Sequence, residues 1–112
     1  MSTIVLMDNL YISSKITDPK KAIANILGDN FSGDEFLICL NNASPNLMDI
    51  YYVKELKKPY IKIDNLTVLA VCRNKEDSKE ICRFIIECFM LKYNSISDFK
   101  SKVCLIRWGK DD

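Results

Sequence analysis

Leu47-Met48-Asp49-Ile50-Tyr51-Tyr52-Val53-Lys54-Glu55-Leu56-Lys57-Lys58-Pro59 carries two opposed signals, and the architecture turns on which prevails. Ser44-Pro45 ahead of it has the form of a cap followed by a first-turn proline, and Pro59 closes it, which predicts a helix. Ile50-Tyr51-Tyr52-Val53 is instead a β-branched and aromatic run of the kind that fits a pleated sheet. On a helical wheel the polar residues from Asn46 to Lys58 form no face, and as a strand the segment alternates poorly. We read Leu47 to Lys57 as a helix. Strand–helix–strand units then suggest an α/β sheet with some parallel pairing. The strand reading would turn Asp49 to Cys72 into a three-stranded antiparallel meander.

Downstream, Tyr60-Ile61-Lys62-Ile63 reads as a strand, Asp64-Asn65 as a tight turn, and Leu66 to Cys72 as a longer strand. Asp and Asn tolerate the left-handed backbone of a two-residue hairpin. Glu76 to Tyr93 follows as a long amphipathic helix. Glu76 and Asp77 suit its N-terminus through the helix dipole. Glu76, Glu80, Arg83 and Glu87 form its polar stripe, with Ile81, Ile85, Cys88 and Phe89 opposite. Val103 to Trp108 reads as a closing strand before a polar tail, Gly109-Lys110-Asp111-Asp112.

Upstream, Ile4 to Met7 is an apolar strand, Asp8-Asn9 a turn, and Leu10 to Ser14 a strand folding back. Asp18 is a good N-cap, Pro19 suits the first helical position, and Gly28 offers a left-handed stop. Ile23, Ile26 and Leu27 line one face of the helix between them. Glu35 to Leu40 is the next strand, and Asn41 to Asn46 a loop. The expected fold is therefore α/β or α+β: a single small domain over residues 1–112, with a mixed, mostly antiparallel sheet and two or three helices packed on it.

With 112 residues, the chain is long enough to bury one core. Sixteen basic against fifteen acidic residues leave a net charge of +1, with no run of like charge longer than two. A protein that neutralises many phosphates carries a basic face. The nearest approach is Lys54, Lys57, Lys58 and Lys62, so nucleic acid is disfavoured as a partner. The longest apolar runs, such as Phe36 to Leu40, are far too short to span a bilayer, and no signal peptide opens the chain. Five cysteines, an odd number without a Cys-x-x-Cys pair, point to unpaired thiols, a reducing cytoplasm and no metal site.

The chain contains no histidine, which removes the commonest general base, triad partner and zinc ligand together. Three glycines, at 28, 33 and 109, cannot build a glycine-rich phosphate cradle in its usual form. No catalytic residue and no cofactor is expected. The remaining polar candidates follow strands: Asp8, Asn9, Asn41, Asn42, Ser44 and Asp64, with Arg73 and Asn74. In an α/β sheet such residues line a ligand crevice; they are also ordinary turn residues. A second candidate is a surface on the last helix, where Met90 falls inside the polar stripe with Phe84, Ile86 and Leu91 on its flanks.

Tyr60-Ile61-Lys62-Ile63-Asp64-Asn65-Leu66-Thr67-Val68-Leu69-Ala70-Val71, followed by Asn74 to Tyr93, resembles the second half of longin-type domains of trafficking adaptors. In those, a short strand and a longer one precede a long apolar helix. The order of Ile4–Met7, Asp8-Asn9 and Leu10–Ser14 would suit their opening hairpin. Glu35 to Pro59 and the strand-like Val103–Trp108 depart from the pattern. The resemblance implies a non-enzymatic docking domain. The favoured expectation is accordingly a protein-interaction module, an adaptor, regulator or inhibitor of immunity type, that binds another protein or itself. The alternative is a small-molecule or nucleotide-binding α/β domain using the strand-end Asp and Asn residues.

Overall fold

The computed structural model describes residues 4–28, 31, 33–61 and 66–108. Its elements run β1 (Val5–Ile12), α1 (Pro19–Leu27), β2 (Phe36–Asn41), β3 (Asp49–Tyr52), a 3-10 turn (Val53–Lys57), β4 (Leu66–Cys72), α2 (Lys75–Tyr93), α3 (Phe99–Lys102) and a second 3-10 turn (Val103–Leu105). The strands form one sheet in the order β1-β4-β2-β3. β4 is parallel to β1 and antiparallel to β2, and β2 is antiparallel to β3. The sheet is thus mixed and mostly antiparallel, and with three helices among the described residues the fold is α+β.

The sequence of β4 explains its central place. Every residue from Leu66 to Cys72 except Thr67 is buried and apolar, as a strand covered on both faces requires. Leu66, Val68 and Val71 face a layer built from α1 and the first 3-10 turn, with Ala22, Ile26, Val53 and Leu56. Leu69, Ala70 and Cys72 face α2 and the C-terminal segment, with Ile81, Ile85, Phe89, Phe99, Val103 and Ile106. Two-residue alternation fails between Leu69 and Ala70 because the pairing slips there: Ile38 lies opposite Ala70 and Cys39 opposite Val68. Leu69 is the extra residue of a bulge.

Both long helices start from caps visible in the sequence. Asp18 Oδ1 accepts from the Lys21 N–H at 3.1 Å, with Pro19 in the first turn. Asn74 Oδ1 accepts from the Asp77 N–H at 2.8 Å, and Asp77 Oδ2 accepts from the Arg73 N–H at 2.8 Å. Those paired bonds satisfy two backbone donors in the manner of a capping box. Asn94, at φ 57°, provides the left-handed stop of α2. Gly28 ends α1 differently from expectation, at φ −79° with its N–H bonded to Ala24 O.

Four other expectations are corrected. Leu47 to Lys57 is not one helix: Asp49–Tyr52 is a strand and Val53–Lys57 a 3-10 turn, so each signal holds for half the segment. Tyr60 lies in a turn and Ile61 is irregular, while Lys62, Ile63, Asp64 and Asn65 lie outside the described residues. Among the described residues, β1 and β2 are the strands that flank β4. The opening hairpin is absent as well: Val5–Ile12 is one strand, and Asp8-Asn9 sits in a bulge where Leu6 pairs with Val68 and Tyr11 with Ala70. That removes the likeness to a longin opening. Finally, Val103–Trp108 is a 3-10 turn running into irregular chain. The polar tail after Trp108 lies outside the described residues.

Candidate functional site

α2 lies across β4 and β2. Pairing sets Ile50 opposite Ile38 and Tyr52 opposite Phe36, both on the α2 side of the sheet. The Phe36 and Tyr52 rings stack at 4.9 Å, whereas Ile50 remains 39% exposed. On α2, Met90 is 40% and Leu91 84% exposed. Phe84 is half-buried, its ring 5.5 Å from Tyr11 and 6.2 Å from Trp108, and Ile86 is also half-buried. Helical spacing sets Leu91 on the Phe84 flank and Met90 on the Ile86 flank, with Glu87 between them. The four candidate residues therefore form two short apolar strips rather than one patch.

The backbone of β3 has a definite phase. The Val53 N–H donates to Glu35 O at 3.0 Å. That bond makes Glu35 and Val53 a hydrogen-bonded antiparallel pair, and pairs of this kind recur every second residue. Tyr51 with Leu37 and Asp49 with Cys39 follow in the same phase. Ile50 and Tyr52 then aim their N–H and C=O groups away from β2, and the Tyr52 carbonyl, at the N-cap of the 3-10 turn, accepts the first hydrogen bond of that turn. Residues Asp49 to Tyr52 include no Pro, Lys or Gly. Strand residues Ile50-Tyr51-Tyr52 were visible in the sequence, but their edge position depends on the strand order.

The strand-end candidates are dispersed. The Asn9 amide donates to Val103 O at 3.1 Å and Ile106 O at 2.7 Å, and Asn9 O accepts from Trp108 Nε1. Asp8 is exposed, and with Asn9 it lines a cavity of about 590 Å³ beneath Arg107 and Trp108. Asn41, Asn42 and Ser44 stand in the β2–β3 loop. Asn41 Oδ1 accepts from the Ala43 N–H at 2.9 Å and Ser44 Oγ from the Asn46 N–H at 3.1 Å, so both side chains shape the turn. Lys100 Nζ donates to Asn41 O and Ser44 O at 2.9 and 2.7 Å and ties that loop to α3. Neither cavity described here brings Asp8 and Asn41 together. Asp64 lies outside the described residues.

A second cavity, of about 570 Å³, lies where the parallel strands β1 and β4 end. Lys15, Lys21 and Arg73 line it together with Asp18, Asp34 and Glu35. Arg73 Nη1 donates to Lys15 O at 3.3 Å, and Lys15 Nζ lies 3.9 Å from Asp77 and 3.7 Å from Glu80. Asp34 is paired with Lys54 at 2.8 Å. Three cations face three carboxylates, so the cleft projects little net field. Glu35 Oε1 is buried there without a hydrogen-bond partner among the described residues. Of this group, sequence reading had singled out Arg73 alone; Lys15 and Glu35 come to the cleft through the pairing of β1 with β4 and of β4 with β2.

All five cysteines are free. Burial pushes the Cys39, Cys72 and Cys82 thiols up, Cys39 and Cys72 furthest, with Asp49 adding to the shift at Cys39 and Asp77 at Cys72. Neutral, desolvated thiols are poor nucleophiles. Among the described residues, no cluster of three or more Cys, Asp or Glu is placed to hold a metal ion, and no helix is long and apolar enough to cross a membrane. Compared with known protein families, with characterised proteins and with solved structures, the chain has no match in any of the three.

Proposed function

We propose that this chain is a cytoplasmic protein-interaction module without an active site, serving as an adaptor, a regulator or an inhibitor of immunity type. The observation that supports it most directly is Leu91. It stands 84% exposed on a helix whose opposite face, Ile81, Ile85 and Phe89, is packed into the core. Removing a leucine side chain from water is worth about 1.5–3 kcal/mol, a gain that a partner surface can realise and the isolated chain does not. Met90 adds apolar area beside it, and Lys79, Arg83 and Glu87 supply the charged rim typical of an interface. Five unpaired thiols fit a reducing compartment.

Affinity capture tests this reading, with the wild-type chain and Met90→Glu/Leu91→Glu as paired baits. A stoichiometric partner held by the wild type and lost from the double variant is expected, with no change in the unfolding midpoint. Identical captures from both baits would remove the helix surface from the reading.

The second reading, a binder of small charged molecules, draws on the unpartnered Glu35 Oε1 inside the cleft beside Arg73 and Lys21. A buried acceptor without a donor leaves a hydrogen bond for a ligand to supply. Its test is a screen of nucleotides and amino-acid-like metabolites for thermal stabilisation. A stabilising compound should lose its effect on Arg73→Ala.

A further inference from the structure

β1 and β4 lie side by side and parallel, and the chain leaves them toward opposite faces of the sheet. From β1 it enters α1, which packs Ala22 and Ile26 on one face; from β4 it enters α2, which packs Ile81 and Ile85 on the other. Parallel neighbours whose connections part in this way open a crevice at their carboxyl ends, the place where open sheets bind ligands. The cavity of about 570 Å³ beside Lys15 and Arg73 is that crevice. Resting on the reading of this cleft as a binder of small charged molecules, we infer that its ligand is a zwitterion: an α-amino acid with an apolar side chain, its carboxylate on Arg73 and its ammonium on Glu35.

Two ion pairs of the cleft are already closed: Asp34 is held by Lys54, and Lys15 lies 3.9 Å from Asp77 and 3.7 Å from Glu80. Arg73 and Glu35 differ. Phe36 lies opposite Cys72, so the next position of that antiparallel ladder sets Glu35 against Arg73. Phe36 and Cys72 face α2, and alternation turns Glu35 and Arg73 to the α1 side, where both line the cleft. No ion pair joins them nonetheless. The Glu35 carboxylate lies against Gly33 instead, where an added Cβ would collide with Oε1 and Cδ. Arg73 Nη1 donates to Lys15 O at 3.3 Å, which occupies one arm of the guanidinium fork. Opposite charges set against each other but left apart suit a ligand that carries both signs. A guanidinium takes a carboxylate through parallel N–H···O bonds, and a carboxylate accepts from an ammonium. Half-buried Ile16 and buried Ala22 line the same cleft and offer an apolar side chain its contact. A polyphosphate is a poorer match, because Asp18, Asp34 and Glu35 repel it.

Titration of the full chain followed by amide NMR provides the test. The probes are L-leucine, L-methionine and L-phenylalanine, the amide and the N-acetyl derivative of each, and inorganic phosphate. At least one amino acid should bind saturably and shift the amides of Ile16, Lys21, Glu35 and Arg73. Its amide, which lacks the carboxylate, and its N-acetyl derivative, which lacks the ammonium, should each bind at least about tenfold more weakly. Arg73→Ala should erase the preference over the amide, and Glu35→Gln the preference over the N-acetyl derivative. Gly33→Ala keeps every charge but displaces the Glu35 carboxylate, so it should weaken the amino acid as Glu35→Gln does. The comparison of analogues on the wild type depends on no variant folding. Amino acids that all fail to bind, or a half-charged derivative that binds as tightly as its parent, overturn the zwitterion. If phosphate, or a nucleotide from the thermal screen, shifts these amides while no amino acid does, the inference falls and the small-molecule reading stands. If nothing perturbs the cleft, both fall.

Discussion

Strand β1 closes one side of the sheet and β3 the other, by different means. β1 is eight residues long, carries a bulge at Asp8-Asn9, and is fastened there to the C-terminal segment through Asn9 and Trp108. β3 is four residues long, unbulged, and runs straight into the 3-10 turn Val53–Lys57, whose Lys54 pairs with Asp34 in a largely exposed contact. Bulges and covering segments remove an edge as a template for pairing, whereas a short strand merely limits it. The same secondary structure is thus finished on one side by a bulge and long-range side-chain bonds, and on the other by shortness and the 3-10 turn that follows it.

The largest test of this contrast is Trp108→Ala. The indole packs 6.2 Å from both Tyr11 and Phe84, and its N–H bonds Asn9 O. Truncation should cost about 3 kcal/mol, near the lower end for a large aromatic because Trp108 is half-buried. It should appear as a lower urea midpoint with an unchanged m value. Asn9→Ala comes next. It leaves the Val103 and Ile106 carbonyls without their side-chain donor, and a loss of about 2 kcal/mol is expected. If neither substitution moves the midpoint, the β1 side is not fastened as described.

These same residues show where sequence reading stops. β2, β4, α1 and α2 were legible because their signals are local: continuous apolar runs, an Asp-Pro cap, an Asn cap and a helical stripe. Asp8-Asn9 gave a turn signal that a bulge gives equally, since both ask the backbone to leave the extended region. What decides between them is Asn9 bonding to carbonyls 94 and 97 residues away. Val103–Trp108 read as a strand from its apolar content, yet Val103 and Ile106 are buried by α2 and the sheet without joining a ladder. For Leu47 to Lys57, the error lay in treating two elements as one. On α2 the helical wheel put Met90 inside the polar stripe and Leu91 on its flank, yet Leu91 is the more exposed of the two. Ile50 was missed because an edge exists only once the strand order is known.

On the β3 side, substitutions should leave folding nearly untouched. Ile50→Lys should shift stability by no more than about 0.5 kcal/mol, as for exposed positions without special contacts. Urea denaturation makes the measurement. A loss of about 2 kcal/mol, on the scale of Asn9→Ala, would mean that β3 is packed as firmly as β1.

The smallest expected effect carries a pH signature. Asp34 Oδ1 accepts from Lys54 Nζ at 2.8 Å and from Tyr52 Oη at 3.0 Å. The Lys54 hydrogen bond, then that from Tyr52, holds the Asp34 carboxyl below its ordinary value, and the same pairing raises Lys54. An acid whose folded pKa is depressed contributes stability above its unfolded value, about 3.9, and loses it as pH falls through the folded value. The lysine's share is present below its unfolded value and lost as pH rises through its raised folded value. Because both side chains are largely in water, the contribution is slight. Asp34→Asn should thus fall just below the wild type near neutrality, and the gap should close in acid. The deficit of Asn9→Ala should persist at both pH values, because neither an amide nor a carbonyl titrates. A gap for Asp34→Asn that stayed constant into acid would assign the β3 side the same uncharged, packed fastening as β1, and the contrast between the edges would fail.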